Sequence, residues 1–327
     1  MECNILYTTN KYYFSHMLTS IYSLLENNKE CNITIHIIED NISAYQRKLL
    51  ENIYLKYSNI KINIYPIKLI QKFIDKYNIP KWRGTDIANA RLFAREIIDN
   101  VNKILYIDSD TIIKNSLMEL FNNEYNNPIS AVKEITIPSH MKNLINEYYN
   151  SGVILFDYKL WDKENYTKRL YDGTKNLDIQ LIFPDQDLMN IIFYKEIATL
   201  SPDYNIFPFI YDILRYPYLA KLYFNKIENY YSYDEVVNSL KNPHIFHLLG
   251  YLYVRPWFEN KIHPFNKFYD EYRMHWDNNY QKQDNSLLYN SEIFPIMNIL
   301  MKSLLSNNLN EILKNNVKKK ILKKENS

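Results

Sequence analysis

The first third of the chain alternates short apolar runs with stretches of helical periodicity, and this alternation is what most constrains the fold. Four apolar runs have the length and composition of buried strands, at 4–9, 33–38, 60–65 and 103–107. Helical periodicity lies between them, at about 14–25, 43–57 and 86–98. Ser43 with Gln46 three residues later is a capping box that marks one helix start. Strands that alternate with helices predict an α/β fold with a mostly parallel twisted sheet flanked by helices.

The rest of the chain is less regular. A strand-rich segment covers 130–157, and a helix is expected over roughly 158–171. Pro184 precedes another helix, residues 201–260 are rich in Pro and Tyr and are interpreted as irregular, and helical patterns return after about 263. At 327 residues, one large domain over 1–280 with a helical C-terminal extension over 281–327 is expected.

The scarcity of glycine excludes the common phosphate-binding loops. The chain has 4 glycines, and none forms a G-x-G-x-x-G or a Walker A motif. A nucleotide-binding protein of this kind has to neutralise the phosphates by other means, and a metal ion is the obvious substitute.

Charge and cysteine content exclude further classes. The net charge of +2 argues against a nucleic-acid-binding face, so no nucleic acid partner is expected. Cys3 and Cys31 form neither a metal-ligand pattern nor a disulfide framework, which favours a reducing, cytoplasmic setting. The N-terminus lacks the features of a signal peptide, and no run of 18 apolar residues predicts a membrane span.

Two carboxylates follow the fourth strand directly. In parallel sheets, ligands bind outside the carboxyl ends of the strands. Asp108 and Asp110, separated by Ser109, can both turn toward one hard cation such as Mg²⁺ or Mn²⁺ and leave positions for phosphate oxygens. The alternative is a solvated acidic turn.

Three further segments carry candidate side chains. His247 precedes Gly250 and Arg255, so an imidazole can complete a metal shell and a cation can meet a diphosphate, although a packed structural histidine is the alternative. Asn150 and Ser151 beside a glycine can bind sugar hydroxyls or form an ordinary turn. Three polar residues open the helix after Pro184, where the helix dipole favours acids in any case, namely Asp185, Gln186 and Asp187.

Taken in order, these segments resemble the family-8 glycosyltransferases, the group that includes bacterial lipopolysaccharide galactosyl- and glucosyltransferases and the glycogenins. The resemblance covers roughly residues 3–280. It rests on six segments, namely Tyr7-Thr8-Thr9-Asn10, Thr85 with Ala90-Arg91-Leu92, Leu105 to Asp110, Tyr149 to Val153, Asp185 to Asn190, and His247 to Trp257. It implies a GT-A fold and a retaining, metal-dependent hexosyltransferase that uses a UDP-sugar.

The resemblance also implies residue roles. Mn²⁺ (or Mg²⁺) is expected to bind at Asp108, Asp110 and His247 and to bridge the UDP diphosphate. The expected uridine and ribose contacts are Tyr7, Thr8, Asn10 and Ser109. The expected catalytic and sugar-binding residues are Arg91, Asn150, Ser151, Asp185 and Gln186. The expected diphosphate contacts are Gly250 and Arg255. A nucleophile is not implied, and the carbonyl of Gln186 or a front-face displacement are both candidates.

Two segments depart from the family pattern. The motif H-x-x-G-x-x-K-P-W carries two extra residues here, and Arg255 stands in place of its lysine. Thr8 and Thr9 occupy the first strand end, where many relatives have an acidic residue, which weakens the inference that uracil is the base.

Two other protein classes were weighed. A non-catalytic saccharide- or nucleotide-binding module would be expected to have lost at least one of the metal ligands or Gln186. A sugar-phosphate nucleotidyltransferase normally opens with a glycine-rich loop, and none occurs here.

The C-terminal tail suggests peripheral membrane contact. Six lysines lie between Lys314 and Lys324, interleaved with Val317, Ile321 and Leu322. A basic helix of this kind can lie on an anionic bilayer, and a solvated lysine tail is the alternative. Because many of the family's members glycosylate lipid-linked acceptors, a lipopolysaccharide or another cell-surface glycan is the expected acceptor.

Overall fold

The computed structural model describes residues 2–175, 177, 179–250, 253–259 and 263–284. The strands within these residues are β1 (Glu2–Asn10), β2 (Asn32–Asp40), β3 (Ile60–Pro66), β4 (Lys103–Ile107), β5 (Thr111–Ile113), β6 (Ile129–Lys133), β7 (Tyr149–Asp157), β8 (Ile197–Thr199) and β9 (Ile245–His247). The α-helices are α1 (Phe14–Glu26), α2 (Ala44–Glu51), α3 (Ile53–Lys56), α4 (Lys68–Lys76), α5 (Met118–Asn122), α6 (Tyr158–Lys163), α7 (Tyr166–Lys175), α8 (Pro184–Ile192), α9 (Pro208–Ile213), α10 (Pro217–Phe224), α11 (Tyr233–Ser239) and α12 (Asn266–Arg273). Two 3₁₀ helices lie at Asn89–Glu96 and Pro202–Tyr204.

The central sheet is mostly parallel, as predicted. Its strand order is β3-β2-β1-β4-β7-β6-β8. Strands β3, β2, β1 and β4 run parallel, β7 pairs antiparallel with both β4 and β6, and β8 is parallel to β6. The carboxyl ends of β1 and β4 are therefore neighbours, and the amino end of β7 meets them at the same edge.

Both faces of the sheet are buried at its inner strands β4 and β7, which explains why these strands contain continuous apolar runs. In β4, Leu105 and Ile107 belong to the core that includes α1, whereas Ile104 and Tyr106 belong to the core on the opposite face. This alternation follows from the two-residue period of a strand. Each fully buried aliphatic side chain contributes roughly 1.5–3 kcal/mol to folding. Packing of the two cores thus fixes the position of β4 and of the residues that follow its carboxyl end.

A second, two-stranded sheet joins distant parts of the chain. Strand β5 pairs antiparallel with β9, and Thr111 lies opposite His247 in the register. The N–H of Leu248 donates to the carbonyl of Asp110 at 2.8 Å. These bonds hold the end of β9 against the turn that follows β4.

Several boundary predictions are wrong. The helix expected over 86–98 is a shorter 3₁₀ helix, and the one expected over 158–171 is divided into α6 and α7 at Asn165, which has a φ of 54°. Residues 201–260 contain α9, α10, α11 and β9 rather than irregular chain alone. The prolines of this region begin helices α9 and α10, where a missing N–H costs nothing. Helix α4 was not predicted.

The C-terminal extension is predicted to cover 281–327, and its residues from 285 onward, including the basic tail, lie outside the described residues. The domain boundary at 280 therefore stays a prediction. Within the part of the chain that the structure describes, no helix combines the length and apolar character needed to cross a bilayer.

Candidate active site

Three predicted metal ligands converge beyond the carboxyl end of β4. His247 is buried, and its Nε2 lies 3.6 Å from Oδ2 of Asp108 and 3.5 Å from Oδ1 of Asp110. One ligand atom from each of the three residues lies within 4.8 Å of the others. The N–H of Asp108 donates to the carbonyl of Gly152 at 2.8 Å, which fixes the acidic turn to β7.

The donor set fits a divalent cation. Nε2 of His247 is buried and has no hydrogen-bond partner among the residues that the structure describes. A buried polar nitrogen without a partner is costly, and it faces two carboxylate oxygens. One imidazole nitrogen and two carboxylates are ligands that Mn²⁺ accepts and that leave coordination positions for other oxygens.

Asp110 also forms an ion pair with an arginine. Arg255 donates from Nη1 to Oδ2 of Asp110 and to the carbonyl of Leu248, the latter at 2.6 Å. Burial by itself would raise the pKa of the Asp110 carboxyl, but Arg255 and His247 outweigh burial and hold this pKa well below its usual range. Asp110 is therefore an anion at any physiological pH.

Arg91 contacts several charged and polar groups beside the three predicted metal ligands. Its guanidinium lies 3.1 Å from Asp108 Oδ1 and 3.2 Å from Asp185 Oδ2, donates to the carbonyl of Ser151 at 2.6 Å, and stacks over the ring of Tyr106 at 4.3 Å. Only 6% of Arg91 is exposed. The contacts that the structure describes for this guanidinium are with protein groups, so a donor-sugar contact by Arg91 stays a prediction.

Ser151 joins β7 to the start of α8. Its hydroxyl donates to Asp185 Oδ2 at 2.8 Å, and its N–H donates to Oε1 of Gln186 at 2.9 Å. Burial raises the pKa of Asp185, although the positive charge of Arg91 opposes this shift. The side chains of Asp185 and Gln186 are thus held by one strand and, for Asp185, by one arginine.

Asp187, the third polar residue of that segment, is structural. It is fully buried, and its Oδ2 accepts the N–H groups of Ile182 and Phe183 at 2.8 and 2.9 Å. Its Oδ1 accepts the Tyr148 hydroxyl. These bonds fix the first turn of α8 and hence the position of Gln186.

Asn150 is engaged in hydrogen bonds inside the protein. Its Oδ1 accepts the N–H of Gly152 and the Nδ2 of Asn205, both at 2.9 Å, and its Nδ2 donates to Glu134 at 2.8 Å. Asn150 is buried and its amide is engaged in these internal hydrogen bonds, and its contact with sugar hydroxyls stays a prediction. Asn205 in turn contacts Nδ1 of His247 at 3.0 Å.

Three site residues were missed by sequence reasoning. Tyr106 lies beneath Arg91 and donates to Asp108, and the two-residue period of β4 was a usable signal for it. Glu134 follows β6, and burial raises the pKa of its carboxyl. Neither Glu134 nor Asn205 belongs to a recognisable motif, since only the fold brings them to the site.

The predicted nucleotide contacts divide into three groups. The side chain of Tyr7 is fully buried and its hydroxyl bonds to Ser20, which leaves only backbone atoms of Tyr7 for the predicted nucleotide contact. Thr8 and Ser109 lie at the site edge, where the Ser109 hydroxyl donates to the Thr8 carbonyl at 2.9 Å. Asn10 accepts two backbone N–H groups in the turn before α1. Roles of Thr8, Ser109 and Asn10 toward a nucleotide stay predictions.

Gly250 has a different role from the one expected. A Cβ atom at this position would lie 2.6 Å from Nε and 2.8 Å from Cδ of Arg255. The absence of a side chain therefore makes room for Arg255, which reaches Asp110 across it. A direct contact between Gly250 and a diphosphate stays a prediction.

Comparison with known proteins agrees with this geometry. Residues 4–261 match the family described as Glycosyl transferase family 8. The chain belongs to glycosyltransferase family 8. A lipopolysaccharide 1,2-glucosyltransferase of Escherichia coli is 29% identical over 57% of this chain and 57% of its own length. A lipopolysaccharide 1,3-galactosyltransferase of Salmonella typhimurium is 24% identical over 62% of this chain and 63% of its own length.

Solved structures of two glycosyltransferases share the fold. The galactosyltransferase LgtC, solved with donor and acceptor sugar analogues, has a TM-score of 0.66 at 18% identity and covers 84% of this chain and 96% of its own. The bifunctional glycosyltransferase WbbM has a TM-score of 0.67 at 22% identity and covers 83% of this chain and 49% of its own. The expected GT-A fold is thereby confirmed.

Proposed function

We propose that this chain is a metal-dependent, retaining hexosyltransferase that moves galactose or glucose from a UDP-sugar to a saccharide acceptor. The observation that carries the proposal is the unpartnered, buried Nε2 of His247 facing Asp108 and Asp110. Beside it lies the buried group of Arg91 and Asp185. Membership of family 8 supports the reaction class.

Asp108, Asp110 and His247 would hold the cation, for which Mn²⁺ or Mg²⁺ is suitable. When bound, the cation supplies Lewis-acid stabilisation of a diphosphate leaving group. Arg255 lies at the same centre, where it forms an ion pair with Asp110. Its positive charge would also stabilise the diphosphate. Thr8 and Ser109, at the neighbouring strand ends, would contact the ribose.

Gln186 and Asp185 are proposed to stabilise the positive charge that develops on the sugar. Cleavage of the bond between the anomeric carbon and the phosphate oxygen develops positive charge on the sugar, which a carbonyl oxygen and a carboxylate stabilise. Oε1 of Gln186 accepts the N–H of Ser151 at 2.9 Å, which reduces its nucleophilicity. We therefore favour a front-face displacement, in which the acceptor oxygen binds the anomeric carbon while its proton passes to the departing phosphate oxygen.

The acceptor is proposed to be a lipopolysaccharide, a lipooligosaccharide or another cell-surface glycan. Support comes from the names of the relatives, two of which are lipopolysaccharide glycosyltransferases. The aligned region is 57% of the first of them and 63% of the second, so the acceptor stays a proposal. A cytoplasmic location with peripheral membrane contact through the basic tail belongs to the same proposal.

The donor and the stereochemistry are tested together. Purified protein with Mn²⁺ and no acceptor is incubated with UDP-galactose, UDP-glucose or GDP-mannose, and nucleotide release is followed. We expect slow hydrolysis of one UDP-hexose and none of GDP-mannose. With a saccharide acceptor, the anomeric proton in the NMR spectrum should report an α-linked product from the α-linked donor. A β-linked product would contradict the retaining assignment.

A further inference from the structure

A chain of buried amides links the imidazole of His247 to the backbone of β7. Nδ1 of His247 lies 3.0 Å from Oδ1 of Asn205, and Nδ2 of Asn205 donates to Oδ1 of Asn150 at 2.9 Å. The same oxygen of Asn150 accepts the N–H of Gly152 at 2.9 Å. At the other end, Nδ2 of Asn150 donates to a carboxylate oxygen of Glu134 at 2.8 Å.

This chain has a single consistent direction. A backbone N–H is only a donor, so the atom of Asn150 that meets Gly152 must be the carbonyl oxygen. The Glu134 carboxylate is an acceptor, which requires the NH₂ group of Asn150 on its side. Asn205 must then direct its NH₂ group toward Asn150 and its oxygen toward His247. Nδ1 of His247 is left as the donor, and Nε2 carries the free lone pair.

We infer that Asn205, held by Asn150, fixes His247 in the Nδ1–H tautomer and thereby presents the Nε2 lone pair to the space between Asp108 and Asp110. Asn205 is a positioning residue in this scheme, and Asn150 acts through it. The metal part of the inference rests on the proposed function, whereas the tautomer does not. A histidine ligand whose other nitrogen is hydrogen-bonded binds metal more tightly, because its tautomer and ring orientation are set in advance.

The tautomer is measured directly in the metal-free wild-type protein. In ¹⁵N-histidine-labelled protein at a pH where the ring is neutral, long-range proton–nitrogen spectra distinguish a protonated ring nitrogen from an unprotonated one. The chain has 7 histidines, and the His247→Gln variant identifies the signals of interest. We expect a protonated Nδ1 and an unprotonated Nε2. The reverse pattern would overturn the inference without any variant of Asn205.

Two substitutions at Asn205 separate orientation from bulk. Asn205→Asp keeps an oxygen for Nδ1 of His247 but replaces the NH₂ donor to Asn150 with a second oxygen, so the Nδ1–H tautomer should be retained although the hold by Asn150 is lost. Asn205→Leu removes the acceptor, and we expect loss of the Nδ1–H pattern and a dissociation constant for Mn²⁺ raised about 10–100-fold in the absence of nucleotide. If Asn205→Leu keeps both within twofold, the inference is wrong.

Asn28 provides a matched control. It is also buried, and its amide hydrogen-bonds to the backbone groups of Leu24 and Leu117. Asn28→Leu should lower stability without altering the His247 ring nitrogens. If Asn205→Leu does not fold, the wild-type spectrum and Asn205→Asp still decide. Failure of wild-type protein to bind Mn²⁺ would instead contradict the proposed function and leave the tautomer result intact.

Discussion

Replacing Gly152 with alanine is expected to abolish metal binding and glycosyl transfer while the protein remains folded. A Cβ atom at this position would overlap Cε1 of His247 and lie 2.8 Å from Oδ2 of Asp108. His247 is buried, so it cannot move aside as a surface side chain would. Mn²⁺ affinity, measured by calorimetry or by electron paramagnetic resonance, should fall on the order of 100-fold or more.

Gly173→Ala is the control for a crowded glycine outside the site. A Cβ atom there would meet the side chain of Ile192 at 2.8 Å, in the packing of α7 against α8. Overpacking of this kind costs about 1–3 kcal/mol of stability. Mn²⁺ affinity of Gly173→Ala should match wild type. Wild-type affinity in Gly152→Ala would show that the ligands are not where the structure has them.

Arg91→Met is expected to destabilise the protein by about 3–5 kcal/mol, because it leaves a buried carboxylate without its cation. Asp185 would then ionise only with difficulty, since burial already raises its pKa from the ordinary value. An acid whose pKa is raised on folding loses stability as pH rises through the folded value. The deficit of Arg91→Met should therefore be small near pH 4 and largest at pH 8, as measured by urea unfolding.

Arg95 lies on the same 3₁₀ helix and supplies the control. Its ion pair with Asp162 is at 2.8 Å, but half of the Asp162 side chain is exposed. Exposed pairs contribute about 0–1 kcal/mol, so Arg95→Met should cost little and show a shallow pH dependence. A pH-independent deficit in Arg91→Met would argue that lost packing, rather than the charge of Asp185, is responsible.

The inner strands of the parallel part of the sheet follow from sequence because they are buried on both faces. A continuous apolar run such as 103–107 is recognised as a buried strand directly from the sequence. The capping box predicted at Ser43 is also present. The helices of 208–239 were missed for a physical reason. Each is short, and two of them begin with a proline that in isolation reads as a helix breaker.

Site residues that directly follow a strand could be predicted from the sequence, whereas those brought together by tertiary packing could not. Asp108 and Asp110 follow β4 directly, whereas the register of β5 with β9 decides that His247 joins them. Tyr7 was assigned to the nucleotide although its position in β1 turns it into the core. The orientation of Asn150 depends on Asn205, a partner 55 positions away, so no local pattern could have revealed it.

The central claim is that a divalent cation at Asp108, Asp110 and His247 is required for turnover of a UDP-hexose. It is tested most directly by the rate of UDP release from wild-type protein, first stripped with EDTA and then titrated with Mn²⁺. The account predicts negligible release after EDTA, recovery with Mn²⁺, and a rate depressed by orders of magnitude in Asp110→Asn, which removes one anionic ligand. Full activity in EDTA would contradict it.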